Sequence, residues 1–213
     1  MKILGIITAR KNSRRIKNKN RKILGNKILA EYTFQFVKKL NFLSDVLVTT
    51  DDSIILEKAK KYSLLAPWLR PSKISKSTST SYETVMHALK WYKNNIGSVD
   101  AVALFQPTSP FRKIKTIKEA FRLFKKYKGL NSIASVSYTQ NKVLLKNNKR
   151  KFINMFCPNG LIFIISIKEL KKYKSFLTIN TIPLINNDVE ETLDIDYPSD
   201  WSQAIKILKK HEK

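Results

Sequence analysis

The chain has 213 residues, 43% of them hydrophobic, and a mean hydropathy of −0.28, enough to bury one substantial core. A single cysteine, Cys157, excludes an internal disulfide, and with only His87 and His211 beside it a Cys/His zinc site is excluded as well. A net charge of +25 and a pI near 10.1 raise nucleic acid as a partner, but the cations recur along nearly every predicted helix (Lys60-Lys61, Lys125-Lys126, Lys209-Lys210) without forming a separate arm or module, so a solvated surface accounts for them.

Residues 3–8 are an apolar, β-branched run that predicts a buried parallel strand. The run is too short for a signal-peptide core and meets Arg10 at once, which together with the cysteine count places the protein in the cytoplasm. It empties into a loop that reads Ala9-Arg10-x-x-Ser13-Arg14-x-x-x-x-Lys19-Asn20. Ligands of open α/β sheets bind past the carboxyl ends of strands, and cations with amide donors there suit a polyphosphate; the same residues also read as an ordinary basic loop. From about Lys27 a helical period carries Leu29, Tyr32, Thr33, Phe36, Val37 and Leu40. Residues 45–50 predict a second buried strand ending at Asp51-Asp52, of which Asp51 reads as a helix cap rather than a catalytic group. A further helix with Ile55, Leu56, Ala59 and Tyr62 completes a β-α-β-α order, hence a mostly parallel sheet with helices on both faces.

A loop through Arg70-Pro71 and a Ser/Thr run leads to Thr80-x-x-Glu83, a capping box that puts Ser81 in the first turn of a helix, where backbone N–H groups favour an anion or a nucleotide. Residues 99–105 predict a third strand, followed by Gln106-Pro107-Thr108-Ser109-Pro110-Phe111-Arg112, where two prolines fix a strand-end loop. Thr116-x-x-Glu119 reads as another capping box, and residues 132–138 as a fourth strand. The polar stretch 139–156 interrupts the alternation before Pro158-Asn159-Gly160 and an apolar run at 161–167, which is far short of a membrane span. Asp194-Ile195-Asp196 stands out in a chain so poor in acid. If the segment is extended, both carboxylates face one way and together suit a magnesium ion; alternatively one of them caps the helix opened by Pro198, with Trp201, Ala204, Ile205 and Leu208 inward.

In this order along nearly the whole chain, these stretches resemble the acylneuraminate cytidylyltransferase (CMP-sialic acid synthetase) family, whose patterns are Ala-Arg-x-x-Ser-Lys-x-x-x-x-Lys-Asn, Leu-Arg-Pro, Leu-Gln-Pro-Thr-Ser-Pro-Leu-Arg, Pro-Asn-Gly and Asp-Ile-Asp. The resemblance implies a Rossmann-like, mostly parallel α/β fold of one domain over residues 1–213, with residues 139–157 an insert for dimerisation and the sugar pocket. It implies a homodimer that joins a nine-carbon 2-keto acid sugar to CTP, giving the CMP-sugar and pyrophosphate. Arg10 and Lys19 would clamp the phosphates and Asp194 and Asp196 would hold Mg2+, with Arg10, Lys19 and Asp196 the catalytic set. Ala9, Asn20, Arg70, Ser81, Gln106, Ser109 and Asn159 would form the nucleotide pocket. Ser77 stands where the family has Asp, and Arg15 and Lys17 where it often has Gly and Pro; pseudaminic acid synthetases often carry Arg at the first of these. The octulosonate cytidylyltransferases are an alternative, with Lys-Pro where this chain has Lys19-Asn20. A non-enzymatic nucleic-acid binder is another, distinguished by salt-sensitive affinity.

Overall fold

The run after Lys2 forms β1 (Ile3–Ala9), and it is apolar but for Thr8 because both of its faces are covered: Ile3, Ile7 and Ala9 enter one core cluster, Leu4 and Ile6 another. The computed structural model describes residues 1–144 and 150–211, and for residues 139–144 and 150–155 the backbone alone. After β1 come a small hairpin of β2 (Ile23–Leu24) and β3 (Lys27–Ile28), then α1 (Leu29–Val37), β4 (Asp45–Thr50), α2 (Ser53–Lys61), α3 (Ser81–Asn95) and β5 (Ala101–Phe105). The second half adds α4 (Ile114–Lys126), β6 (Ile133–Leu144), β7 (Arg150–Ser166), α5 (Ile167–Tyr173), β8 (Ile182–Ile185) and α6 (Pro198–His211).

Six strands form one sheet in the order β4-β1-β5-β7-β6-β8. β1 is parallel to β4 and β5, and β6 to β8, while β7 is antiparallel to both of its neighbours. The expected mostly parallel, Rossmann-like sheet is therefore present with one reversed strand. Helices α1, α2 and α4 bury Phe34, Ile55 and Phe121 against one face; α3 and α5 bury Val85, Ala88 and Leu170 against the other. A third cluster joins α6, through Trp201, Ala204 and Ile207, to Ile16, Leu24, Leu29 and Ile195. Ile207 rather than the expected Ile205 is the inward residue; Ile205 is exposed.

Several local expectations change. Asp52, not Asp51, caps α2 by accepting from the Ile54 amide at 3.0 Å. The box at Thr80 and Glu83 forms in both directions, but the one at Thr116 and Glu119 does not: Glu119 pairs with Arg122, and α4 begins at Ile114. Its cap is Glu191, 1% exposed, which accepts from the Lys113 amide and the Thr116 hydroxyl, both at 2.8 Å. Strands β6 and β7 run on through much of 139–156, paired from Val136↔Pro158 to Leu144↔Arg150. The polar composition there thus belongs largely to a long antiparallel pair, not to a break in the sheet. Residues 145–149 and the side chains of 139–155, on which the expected dimer and sugar contacts fall, lie outside the described residues.

Candidate active site

The loop leaving β1 is held by one apolar residue. Ile16 is 6% exposed and packs in the cluster under α6, so the residues around it wrap over the carboxyl end of the sheet. Asn18 takes the left-handed conformation (φ 54°), which asparagine tolerates, and the turn Lys19–Arg21 follows. Lys19 and Asn20 are thereby drawn inward, to 9% and 6% exposure.

Across from them runs the segment of Asp194 and Asp196. It is not a strand, yet the expected alternation holds: Leu193 and Ile195 are buried in the α6 cluster and the two aspartates face the cavity. Neither aspartate caps α6. Asp200 does so, accepting from the Asp196 and Tyr197 amides at 2.8 and 2.7 Å. Lys19 Nζ donates to the Ile195 carbonyl at 2.6 Å and to Asp196 Oδ1 at 2.7 Å, and Arg15 Nη1 meets Asp196 Oδ2 at 2.6 Å. Burial works to raise the Asp196 carboxyl, but these two cations outweigh it and hold the group below the ordinary carboxylate value. Asp194 goes the other way. Burial raises its carboxyl and Asp196 adds to that, against a bond from Thr108 and the charges of Lys19 and Arg112. Its Oδ1 is buried with no hydrogen-bond partner among the described residues.

The Gln106–Arg112 loop is positioned from beneath. Arg112 is 6% exposed and its guanidinium donates to the carbonyls of Gln106, Ser109 and Leu161 and to Thr33 Oγ1. Burial pushes it down to about 9, with Asp194 and Glu191 opposing, so it stays charged at neutral pH. Behind Asp194, β7 bulges at Asn159-Gly160, where Gly160 has φ +73°. A Cβ there would lie 3.0 Å from Gln106 Oε1 and 3.3 Å from both Asp194 Oδ2 and Ser109 Oγ. Only glycine both takes this backbone and leaves room for the carboxylate.

The opposite wall comes from the segment before α3. Arg14 Nη2 donates to Ser77 Oγ at 2.6 Å, and Arg10 Nη1 lies 3.5 Å from the Lys76 carbonyl. Arg70, 6% exposed, donates to Ser75 Oγ at 3.0 Å and pairs with Asp51 at 3.5 Å; burial and Arg10 lower its pKa while Asp51 opposes them. Asp51 also accepts the Lys11 amide at 2.8 Å, a role as a tie between loops.

These walls enclose a cavity of about 530 Å3. Arg10, Lys19, Asn20, Arg70, Ser81, Gln106, Asp194 and Asp196 all line it. Three of the expected residues do not. The Ala9 side chain is in the hydrophobic core, Ser109 is fully buried and bonds the Asn159 carbonyl at 3.5 Å, and Asn159 donates to Ser137 Oγ at 3.1 Å. They stand one layer behind the surface. Sequence reasoning passed over Arg14, Arg15, Thr108, Arg112 and Gly160. Arg14, Thr108, Arg112 and Gly160 sat inside recognised motifs; Arg15 stood out only as a departure from the family pattern, which gave no sign of its pairing with Asp196.

The sequence profile described as Cytidylyltransferase matches residues 4–209. The chain belongs to the cytidylyltransferase family. It is 31% identical to the CMP-N,N'-diacetyllegionaminic acid synthase of Legionella pneumophila over 100% of this chain and 99% of that protein. It is 30% identical to the N-acylneuraminate cytidylyltransferase of Escherichia coli O18:K1:H7 over its own full length, spanning 53% of that relative. In fold, this cytidylyltransferase resembles a CMP:2-keto-3-deoxy-manno-octonic acid synthetase complexed with CTP at a TM-score of 0.71, with 11% identity over 99% of this chain and 100% of the other.

The aspartate pair fits a magnesium ion. Both carboxylates offer hard oxygens to one cavity, and the buried Oδ1 of Asp194, without a hydrogen-bond partner among the described residues, is an acceptor that a cation would satisfy. Among the described residues no group of three or more His, Cys, Asp or Glu could hold a metal. A pair therefore suits an ion that takes one or two carboxylates and completes its shell with substrate phosphates and water. No helix among those residues is long and apolar enough to cross a membrane.

Proposed function

We propose that the chain transfers CMP from CTP to a nonulosonic acid, releasing pyrophosphate. The observation that carries this reading is one cavity, at the carboxyl end of β1, lined by Arg10, Arg14 and Lys19 together with Asp194 and Asp196. In the reaction, the anomeric hydroxyl of the sugar acid attacks the α-phosphorus, a new P–O bond forms and the α–β anhydride breaks. Arg10, Arg14 and Lys19 bind the phosphate oxygens and keep the triphosphate in line with the attacking hydroxyl. Asp194 and Asp196 would hold Mg2+, which would supply charge neutralisation for the leaving pyrophosphate and lower the pKa of the attacking hydroxyl. Asn20 donates to the Arg10 carbonyl at 3.0 Å, while its Oδ1 is buried with no hydrogen-bond partner among the described residues, an acceptor suited to a ribose hydroxyl. Arg70, Ser81 and Gln106 orient the ribose and cytosine. Ser109 and Asn159 act one layer behind by fixing the Gln106 loop against β7. Similarity to the Legionella synthase along its full length supports an acid of the diacetyllegionaminic kind as the acceptor. Contact with a second copy through the β6–β7 pair completes the reading; Tyr138 and Phe156, both exposed at its base with rings 6.1 Å apart, support it.

The test is pyrophosphate release from purified protein with CTP and Mg2+, against sialic, legionaminic, pseudaminic and octulosonic acids. Release with a nonulosonic acid, abolished by EDTA, is the expected result. Silence across the panel from folded protein, with salt-sensitive binding of nucleic acid instead, overturns it. Light scattering after size exclusion reads the dimer.

A further inference from the structure

Both oxygens of Asp196 already carry a cation: Lys19 Nζ sits 2.7 Å from Oδ1 and Arg15 Nη1 sits 2.6 Å from Oδ2. A divalent ion approaching this carboxylate meets positive charge on each side, so one partner must withdraw. The two are not equally free to do so. The Lys19 side chain is 11% exposed and is tied a second time to the Ile195 carbonyl, in the wall itself. The Arg15 side chain is 52% exposed, and its other contact is the face of the exposed Tyr197 ring, 4.5 Å away. Arg15 also lines the same cavity as Arg10 and Arg14, within the region that would receive the triphosphate. A guanidinium binds phosphate oxygens in pairs, so a nucleotide offers Arg15 a better partner than one carboxylate oxygen.

We infer that Arg15 is a removable counter-ion of Asp196, exchanged from the carboxylate to the triphosphate, so that metal binding is coupled to nucleotide binding. The inference rests on the reading of Asp194 and Asp196 as metal ligands. Coupling is reciprocal: whatever CTP contributes to metal affinity through Arg15, the metal contributes to CTP affinity. Arg15 is thus a positioning residue, acting on the reaction through Asp196.

The experiment measures Mn2+ binding to the full chain from the electron paramagnetic resonance signal of free Mn2+. Titrations are run alone and with a CTP analogue whose α–β bridging oxygen is replaced by methylene. Without nucleotide, Arg15→Ala should bind Mn2+ about three- to tenfold more tightly than wild type, the scale of losing a half-exposed ion pair and its repulsion of a second cation. The gain in Mn2+ affinity caused by the analogue should shrink correspondingly. Arg15→Lys, which keeps the charge, should stay near wild type. Lys17→Ala controls for loss of a charge from the same exposed loop and should change little. Equal Mn2+ affinity in Arg15→Ala and wild type, or an equal gain in Lys17→Ala, overturns the inference. If no protein retains Mn2+ even with the analogue, the metal-ligand reading fails as well, and the two failures are told apart.

Discussion

The two walls of the cavity are built on different principles. The aspartate wall rests on buried parts: Ile195 in the α6 cluster, Arg112 beneath the Gln106 loop, and Glu191 across the start of α4. The basic wall, apart from the buried Arg70, is a pair of loops joined at the surface, Arg14 to Ser77 and Arg10 to the Lys76 carbonyl, through exposed contacts. Disturbing the first should therefore alter stability and chemistry together. The second can change with little loss of fold, because exposed hydrogen bonds and ion pairs contribute little net stability.

Arg112→Met gives the largest expected effect. Methionine fills much of the volume, but the carbonyls of Gln106, Ser109 and Leu161 each lose a charged donor and Asp194 and Glu191 lose a nearby positive charge. Removing one member of a buried charged network typically costs about 3–5 kcal/mol. Urea denaturation should register that, along with a loss of turnover. A variant as stable as wild type would mean that the loop does not depend on this residue.

Asp194→Asn separates chemistry from stability. Turnover should fall by at least ~10³-fold, the order expected when several kcal/mol of charge stabilisation are removed from a transition state. Stability should move the other way. Burial holds the folded Asp194 carboxyl above its ordinary value of 3.8, so between 3.8 and that raised value the folded state binds more protons than the unfolded chain. The group's contribution is thus fully favourable below 3.8 and is lost as pH rises through the folded pKa. The neutral variant should melt above wild type at pH 7, by about 2–4 °C for a gain of order 1 kcal/mol, and converge with it near pH 3.5. Asp196, held low by Lys19 and Arg15, has the opposite slope: its stabilisation is present above 3.8 and fades as pH falls through its folded pKa. Thermal midpoints across pH 3–8 would test both signs.

The contrast between walls also explains what could be read beforehand. Strands β1 and β5 were legible because a strand covered on both faces is nearly continuously apolar, and β4 by its shorter apolar run, Val46 to Val48. Arg10, Lys19, Asn20, Arg70, Ser81, Gln106, Asp194 and Asp196 were legible as cavity residues because strand-end loops repeat a family pattern. What escaped was whatever depends on a partner distant in sequence. Glu191 caps a helix beginning 77 residues earlier than itself, displacing a local box with the right spacing at Thr116 and Glu119. Nothing in residues 186–192 announces that. Strands β6 and β7 were legible only in part because their outer ladder mixes polar residues such as Gln140, Asn141, Lys142, Arg150 and Lys151 with apolar ones in no regular alternation.

Gly160→Ala tests the bulge between the walls. At φ +73° a Cβ is strained by about 1–2 kcal/mol, and it would press on Gln106 and Asp194. Turnover should fall about tenfold or more with only that modest loss of stability, since a displacement well under 1 Å at a reacting group is enough to slow chemistry. Comparable activity and stability to wild type would show that the bulge tolerates a side chain.

The smallest effect is expected at Ser77. Its hydroxyl accepts from Arg14 at 2.6 Å on the exposed side of the cavity, where the family pattern carries a carboxylate. Ser77→Ala should change stability by less than about 0.5 kcal/mol and weaken CTP by only a few-fold, because the bond competes with water. Ser77→Asp is the sharper variant. It would hold Arg14 by charge rather than by a neutral hydroxyl, a pair that salt screens. The expected result is a CTP KM that rises at low ionic strength, as the carboxylate competes with phosphate for the guanidinium, and returns toward wild type in high salt. A KM that falls instead would mean that Arg14 serves the site by fixing the loop and not by meeting the triphosphate, and the basic wall would then be, like the other, chiefly a scaffold.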